Sequence, residues 1–323
     1  MKVVSRYKIW FSFSLIVTLV GILSLIFWGL PLGIDFKGGS SMELKYSQKV
    51  NSSEVENSLK SLNLKNLIVQ STSQNTVIIK TGELAQGQEA QIKEIVNAKV
   101  GESGQEIRFE NIGPTVGKDL QRKAIIAIIL ACFGIILYLA YAFRTVPPPI
   151  SSWKFGVCAV AALVHDTVVI IGLYSVMAHL FGFEVDAYFV TAILTIIGFS
   201  VHDTIVVFDR IRENLISRPQ WAGSRVQSDH NSQGAGKSPA LTIEENIDHS
   251  IVQTMIRSLN TSITVLVVLA TMLILGGSSI RHFVATLFVG IIFGTYSSIF
   301  IASPILFLWQ RWTMRRTALK NAS

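Results

Sequence analysis

The stretch from Phe189 to Val207 reads FVTAILTIIGFSVHDTIVV, and it decides the fold class of the chain. An apolar run of this length is close to the ~20 residues that an α-helix needs to cross ~30 Å of hydrocarbon. Its second half nevertheless carries His202 and Asp203, two ionisable residues of a kind that is costly at membrane depth. The stretch therefore predicts a membrane-spanning helix with a functional site inside it.

Apolar runs elsewhere in the chain predict five more membrane spans. They are Ile9–Leu30, Ala124–Phe143, Phe155–Met177, Leu259–Leu275 and Phe283–Trp309. The composition agrees, because only 15% of the 323 residues are charged and the mean hydropathy is +0.47, whereas soluble domains carry about 25% charged residues. We therefore expect an α-helical membrane protein with six transmembrane helices, and neither a disordered chain nor a soluble enzyme. The first run is longer than the apolar core of a signal peptide and lacks a small-residue cleavage site, so we expect an uncleaved span.

A polar stretch, residues 31–122, separates the first two spans and predicts a small α+β domain. Its strands and helices are expected in the order βαββαβ, which is the order of a ferredoxin-like fold. The predicted elements are strand 41–46, helix 53–62, strands 67–70 and 76–80, helix 86–100 and strand 106–111. Ser53 and Glu56 predict a capping box at the start of the first of these helices.

The distribution of Lys and Arg predicts that both termini lie in the cytoplasm. The two short outer loops contain only Arg281, whereas the segments on the other side contain Lys2, Arg6, Lys8, Arg144, Lys154, Arg210, Arg212, Arg218, Arg225, Lys237, Arg311, Arg315, Arg316 and Lys320. The polar domain is then extracytoplasmic. The expected division of the chain is 1–30 (N-terminus and helix 1), 31–122 (outer domain), 123–213 (helices 2–4), 214–250 (flexible cytoplasmic loop), 251–310 (helices 5–6) and 311–323 (basic tail).

Two similar motifs place ionisable residues inside predicted spans. VHDTVVI, which contains His165 and Asp166, nearly repeats as VHDTIVV, which contains His202 and Asp203. Arg257 is a fifth candidate, because the helical pattern of the fifth span extends back to about residue 251. At ~1.5 Å per residue, Asp203 and Arg257 each lie ~9 Å from the cytoplasmic boundary, so they are expected to meet at one depth.

This arrangement suits a proton relay made of Asp203, Arg257, Asp166, His202 and His165. Burial favours the neutral carboxyl and a nearby guanidinium favours the carboxylate, so a movement of Arg257 would couple protonation to conformation. The alternative is a static polar clamp in which the His-Asp pairs bind the neighbouring threonines at 167 and 204. The residues alone leave both open.

Other functional classes lack their motifs. The chain contains no zinc-ligand spacing, Walker loop, HExxH or GxSxG, so we expect no metal, no cofactor and no enzymatic site. Cys132 and Cys158 lie inside apolar runs and form no CxxC. The net charge of +7 is explained by basic cytoplasmic loops, so no nucleic-acid binding is expected. Small residues recurring at i+4 on the sixth span predict a helix-packing stripe, namely Gly290, Gly294, Ser298 and Ala302.

Several stretches together resemble one family, the SecD/SecF protein-export membrane proteins of the resistance-nodulation-division superfamily. The most specific match is GFSVHDTIVVFDRIREN at 198–214. The others are GIDFKGG at 33–39, GPTVG at 113–117, ALVHD at 162–166 and QTMIRS at 253–258. Their order and spacing match from the first span to the sixth.

The resemblance implies a subunit that pairs with SecD and works with the SecYEG channel after the SecA ATPase has started translocation. Such a subunit uses the proton gradient to promote late, SecA-independent movement of the preprotein. It implies a multi-pass protein of the bacterial plasma membrane or of a thylakoid-type membrane. It also implies that Asp203 is the proton-linked carboxylate and Arg257 the essential arginine.

Two features depart from the family pattern, and two other functions stay open. The family commonly has Asn where this chain has His202, and the 214–242 loop is longer than usual. One alternative is a proton-coupled exporter of small hydrophobic molecules, which would need a large apolar pocket in the outer domain. The other is a passive scaffold for the channel, in which Asp203 and Arg257 would be dispensable.

Overall fold

Six long apolar helices form the body of the computed structural model, which describes residues 2–72, 75–144, 150–217 and 242–320. Each is long and apolar enough to cross a membrane, which confirms the predicted number of spans; they are Val4–Phe27, Pro114–Ala142, Ser152–Phe181, Ala187–Ser217, Ile243–Leu275 and Arg281–Arg316. The chain is therefore a multi-pass, mostly helical membrane protein with a small antiparallel sheet.

The α-helices are numbered along the chain. They are α1 (Tyr7–Phe27), α2 (Ile34–Lys37), α3 (Ser52–Leu59), α4 (Gln88–Val100), α5 (Pro114–Ala142), α6 (Ser152–Phe181), α7 (Ala187–Ser217), α8 (Ile243–Leu275), α9 (Arg281–Ser297) and α10 (Ser303–Lys320). Helix α7 packs against α6, α8 and α9 and forms the centre of the bundle, and α1 packs along α6. Of the six spans, α5 is the least buried.

Close contact between α1 and α6 depends on glycine. A Cβ added to Gly172 would lie 2.5 Å from the Cα of Gly21, so the two backbones touch where the helices cross. One turn further along, the Ser24 hydroxyl donates to Ser175 Oγ at 2.8 Å, and Ser175 donates to the carbonyl of Gly29 at 2.6 Å. Small residues and interhelical hydrogen bonds are the usual means of joining helices in lipid.

The sixth span is not one continuous α-helix. Helices α9 and α10 are joined by a π-helical turn, Ser298–Ala302, whereas the sequence predicted an uninterrupted span. Two members of the predicted small-residue stripe, Gly290 and Gly294, face Ile196 and Ser200 of α7. The other two, Ser298 and Ala302, lie within the π turn and are fully buried. A π turn adds a residue to the helical repeat, and such turns occur often at functional sites.

The domain between the first two spans has four strands: β1 (Gly39–Lys45), β2 (Ile68–Ser71), β3 (Thr76–Thr81) and β4 (Gln105–Ile112). They pair antiparallel in the order β2-β3-β1-β4, with α3 and α4 between β1 and β2 and between β3 and β4. Apolar residues between sheet and helices form a core separate from that of the bundle, including Leu44, Val55, Val77, Ile79 and Ile92. The expected capping box is wrong: the N-cap of α3 is Asn51, whose side chain accepts from the Ser53 N–H. The asparagine one residue before the helix supplies the acceptor directly, so Ser53 is not needed as a cap.

Two adjacent glycines allow the outer domain to begin directly beside the membrane helices. Gly38 has φ 78° and Gly39 φ 141°, values that other residues rarely adopt. A Cβ on Gly38 would lie 2.8 Å from Pro114, where α5 begins, and one on Gly39 would lie 2.7 Å from the carbonyl of Thr81. The GG of the GIDFKGG motif is thus required by backbone geometry.

In the outer domain, a phenol and a backbone amide donate to the same side-chain oxygen. The Tyr46 hydroxyl and the Gly104 N–H both donate to Asn97 Oδ1, each at 2.9 Å. Burial, together with the nearby Glu102 carboxylate, raises the pKa of Tyr46 to about 12, so the phenol stays neutral.

The outer domain contacts the loops that connect the membrane helices. Val185, in the loop between α6 and α7, accepts from Gly33 at 2.8 Å and donates to Pro31 at 2.7 Å. Lys80 of β3 pairs with Glu184 at 2.9 Å, and Ser279 of the α8–α9 loop donates to the buried Glu43 at 2.5 Å. These contacts fix the sheet over one mouth of the bundle.

At the other end, α7 and α8 are longer than the sequence predicted. α7 continues through Ser217, and α8 begins at Ile243 with a capping box between Thr242 and Glu245. The expected 214–250 loop is therefore helical at both ends, and its central part, 218–241, lies outside the described residues. The Val4 N–H donates to Asp248 at 2.9 Å and ties the N-terminal segment to the start of α8.

Candidate functional site

A buried hydrogen-bonded chain crosses three helices near the middle of α6. His165 Nδ1 lies 2.9 Å from Asp166 Oδ1, and His165 Nε2 lies 2.5 Å from the hydroxyl of Ser14 on α1. The second oxygen of Asp166 accepts from Ser200 of α7 at 2.5 Å. Asp166 is only 2% exposed, so a carboxyl group is held inside the bundle by hydrogen bonds from two other side chains.

A second buried cluster surrounds Asp203. Thr295 of α9 donates to Asp203 Oδ2 at 3.3 Å, and Thr295 Oγ1 lies 2.6 Å from the hydroxyl of Ser262 on α8. Since a hydroxyl has one proton, Ser262 donates to Thr295 when Thr295 donates to Asp203. Asp203 is 2% exposed and forms no ion pair with any cation in the described parts of the chain. A carboxyl in such a place is either protonated or costly, which makes it a functional candidate.

The two clusters are joined along α7. Ser200, which binds Asp166, precedes Asp203 by three residues, and residues at this spacing lie on the same side of a helix. Gly294 allows α9 to approach Ser200 closely, and Thr295 follows it directly. The two carboxyl groups therefore lie about one helical turn apart, in a part of the bundle formed by α6, α7, α8 and α9.

Arg257 does not contact Asp203 within this chain. It lies on the exposed side of α8 and forms no ion pair with another described residue. α7 and α8 run antiparallel, with Arg210 donating to Gln253 at 2.6 Å, while Ser262 is the residue of α8 that reaches Asp203 through Thr295. Arg257 precedes Ser262 by five residues, ~7.5 Å along the helix. Within this chain the expected pairing of Arg257 with Asp203 is therefore not formed.

Polar side chains also occupy the exposed surface of α7 and α8 at membrane depth. On α7, His202 points outward while its neighbour Asp203 is buried. On α8, Asn260, Thr261 and Thr264 are exposed together with Arg257. We call these five residues the exposed polar face. Thr261 and Thr264 donate to carbonyls of their own helix at 2.9 and 2.7 Å. In lipid, the side chains of His202, Arg257 and Asn260 would lack the partners that water or protein provides.

The two threonines that the static-clamp alternative assigned to the His-Asp pairs form other hydrogen bonds. Thr167 donates to the Leu163 carbonyl at 2.8 Å and Thr204 donates to the Ser200 carbonyl at 3.1 Å, both within their own helices. The actual partners of the carboxyl groups, Ser200 and Thr295, were not predicted. Hydroxyl residues are common in membrane helices, and only the packing of the helices shows which of them face a carboxyl group.

A polar cavity of about 260 Å³ lies between the sheet and the mouth of the bundle. Five carboxylates and three permanent cations line it, including the pairs Lys80–Glu184 and Arg108–Glu110. Burial lowers the pKa of Arg108, but the hydrogen bond and charge of Glu110, together with Tyr188 and Asp35, outweigh this effect, so the net pKa of Arg108 is raised. His282 of α9 lies 2.7 Å from Asp186 in the same wall. The charged lining does not suit a small hydrophobic molecule.

Comparison with known proteins identifies related sequences over nearly the whole chain. A family profile described as "Protein export membrane protein SecD/SecF, C-terminal" matches residues 91–312, and one described as "SecD/SecF GG Motif" matches 24–50. Protein translocase subunit SecF of Thermobaculum terrenum is 38% identical, covering 94% of this chain and 92% of the relative. SecF of Anaerolinea thermophila is 37% identical, covering 96% and 94%.

Longer relatives match over part of their length. Protein translocase subunit SecDF of Bacillus subtilis is 33% identical over 95% of this chain and 38% of the relative. The crystal structure of SecDF from Thermus thermophilus, described as a translocon-associated membrane protein, is 27% identical with a TM-score of 0.78. The chain covers 39% of that structure's length, and the alignment includes 96% of the chain.

Proposed function

Since the chain belongs to the SecD/SecF family of protein-export membrane proteins, we propose that it is a proton-driven subunit of the Sec export machinery that works in a complex with SecD. In this proposal it promotes the late, SecA-independent movement of a preprotein through the SecYEG channel. It uses the proton gradient and no other cofactor.

The observation that carries the proposal is the separation of Asp203 from Arg257. The carboxyl group is buried with only a threonine as its side-chain donor, while the guanidinium lies on the surface at membrane depth. Either group is costly when it has no partner in a low-dielectric environment. A buried carboxyl group and a surface guanidinium on neighbouring helices favour a site in which the ion pair between Asp203 and Arg257 forms in only one conformation. Proton coupling requires an ion pair that depends on conformation in this way.

The exposed polar face supports SecD as the partner. A surface with His202, Arg257 and Asn260 needs a polar cover inside the membrane. In SecDF of Bacillus subtilis and Thermus thermophilus the part that matches this chain is less than half of the whole. We propose that SecD occupies this face, related to the present chain by a pseudo-twofold axis along the membrane normal.

The cluster around Asp166 is assigned to the same pathway. Asp166, bonded to His165 and Ser200, lies about one turn from Asp203 and would pass its proton along α7 through the Ser200 hydroxyl. His202, on the surface beside Asp203, would lie in the contact with SecD. All five residues of the expected relay then have a place in the path, although Arg257 enters only when the complex forms.

The remaining features follow from this assignment. Both termini are cytoplasmic, and the four-stranded domain is an extracytoplasmic ferredoxin-like domain, supported by its β2-β3-β1-β4 order. The membrane is a bacterial plasma membrane or a thylakoid-type membrane. The role is transport and not an enzymatic reaction.

Site-specific crosslinking tests the SecD contact. Single cysteines at Asn260 and at Ile129, a lipid-exposed position on α5, are introduced into a chain in which Cys132 and Cys158 are replaced by alanine. In membranes that contain SecD, Asn260→Cys is expected to crosslink to SecD, and Ile129→Cys is not. Crosslinking from Ile129→Cys alone would show that SecD binds elsewhere and that the exposed polar face is not its contact.

A further inference from the structure

An apolar groove runs between α5 and α6 on the outside of the bundle. Three residues of α5 form one wall: Ile136, Ala140 and Phe143. Ser152, Trp153, Gly156, Val157 and Val160 of α6 form the other. The groove has a volume of about 500 Å³, in the range of ligand-binding clefts, and belongs to neither of the polar clusters described above.

The surroundings of the groove indicate hydrocarbon. Its walls are helices that cross the membrane, and α5 next to it is exposed to lipid along almost its entire apolar length. The lining is almost wholly apolar, with Ser152 at one end as its single polar side chain. A flexible acyl chain is the occupant that fits a groove of this chemistry at this depth.

A cation, Arg144, lies at the polar end of the groove. Ser152 donates its hydroxyl to the Arg144 carbonyl at 3.2 Å, which places Arg144 directly beside the end of the groove. The Arg144 guanidinium stacks on Tyr141, 4.2 Å from the ring centroid, and pairs with no carboxylate among the residues that the structure describes. Trp153, exposed at the same level, is of the residue type that marks the boundary between hydrocarbon and headgroups.

We propose that this groove is a binding site for one anionic phospholipid, with an acyl chain between α5 and α6 and the phosphate at Arg144. Every phospholipid could place an acyl chain in the groove, but an anionic headgroup gains most from the positive charge of the Arg144 guanidinium. The lipid would fill the space where α5 diverges from the bundle and so fix the position of α5. The proposal does not depend on the export function.

Glycines in the two helices provide a matched pair of variants. A Cβ added to Gly156 meets nothing within 4 Å, so Gly156→Leu fills the groove without a clash of its Cβ. Gly134 of α5 is equally open but does not line the groove, so Gly134→Leu adds the same side chain to the same membrane surface elsewhere. Arg144→Gln removes the charge at an exposed position and leaves the groove intact.

Native mass spectrometry of the purified full-length chain with dioleoyl-phosphatidylglycerol or dioleoyl-phosphatidylcholine tests the proposal. The wild type is expected to retain about fivefold more phosphatidylglycerol, because one cation near an anionic lipid contributes ~1 kcal/mol. Gly156→Leu should lose retention of both lipids, Gly134→Leu should match the wild type, and Arg144→Gln should bind the two lipids equally.

Three results would overturn the proposal. The first is equal retention of the two lipids by the wild type, and the second is retention by Gly156→Leu that equals that of Gly134→Leu. The third is a crosslink from Val157→Cys to SecD in assembled membranes, which would show that a partner helix fills the groove. Because Arg144→Gln changes only a surface side chain, a folding defect in Gly156→Leu would still leave the headgroup preference as a test.

Discussion

Gly172→Ala tests the contact at which α1 and α6 cross. The added Cβ would lie 2.5 Å from Gly21 Cα, whereas non-bonded carbon atoms pack at ~3.5–4.0 Å. The two backbones must therefore move apart by about 1 Å. The position of the Cβ is fixed by the backbone and Gly21 Cα belongs to the main chain, so no side-chain rotation relieves the clash.

The separation has a cost that can be worked out from the neighbouring contacts. Overpacking of this kind costs about 1–3 kcal/mol. Adding ~1 Å to the 2.5 Å Ser14–His165 contact and the 2.8 Å Ser24–Ser175 contact breaks both hydrogen bonds, each contributing ~0.6 kcal/mol in a membrane protein. We expect a total destabilisation of about 2–4 kcal/mol.

Thermal unfolding of the purified Cys132→Ala protein measures this loss through the remaining cysteine, Cys158. Cys158 is fully buried on α6, so a thiol-reactive fluorophore labels it only when the bundle opens. Gly198→Ala, where an added Cβ meets nothing within 4 Å, is the control. Equal unfolding temperatures for Gly172→Ala and Gly198→Ala would refute the contact between the α1 and α6 backbones.

Two further substitutions test the polar clusters. Arg257→Lys is expected to lower gradient-dependent export several-fold, because lysine lacks the planar fork that holds a carboxylate bidentately. Export by Arg257→Lys at the wild-type rate would show that a positive charge alone is sufficient. Ser200→Ala should destabilise the protein by about 1–3 kcal/mol in the same unfolding assay, because Asp166 loses a buried donor, whereas Ser200→Thr keeps the hydroxyl and restores stability. A neutral Ser200→Ala would mean that the Asp166 carboxyl does not need this bond.

Hydrophobic runs were sufficient to predict the six spans, but not where the helices end. Beyond the hydrocarbon, α7 and α8 continue as a polar pair in which Asn214 donates to Ser250 and Arg210 to Gln253. Such residues are also typical of loops, so their helical conformation follows from tertiary contacts that periodicity does not reveal. For α3 the predicted cap was Ser53, and only the backbone geometry shows that Asn51 occupies this position.

The carboxyl groups of the site could be found from sequence, but their partners could not. Asp166 and Asp203 stand out because a charge inside an apolar run is rare. Ser14, Ser200 and Thr295 resemble any other hydroxyl residue of a span, and their role depends on the rotation and register of helices far apart in the chain. That Arg257 does not reach Asp203 within this chain could not be predicted for the same reason, since it depends on how α8 is rotated against α7.

Asp203→Asn in a gradient-dependent export assay tests whether the Asp203 carboxyl group couples the proton gradient to export. Asparagine preserves the size of the side chain and can still accept from Thr295, but it carries no proton that the gradient can move. Membrane vesicles that contain the variant, SecD and SecYEG, with SecA and ATP saturating, are compared with and without a proton gradient. The account predicts that Asp203→Asn assembles with SecD yet loses the stimulation by the gradient, and stimulation equal to that of the wild type would contradict it.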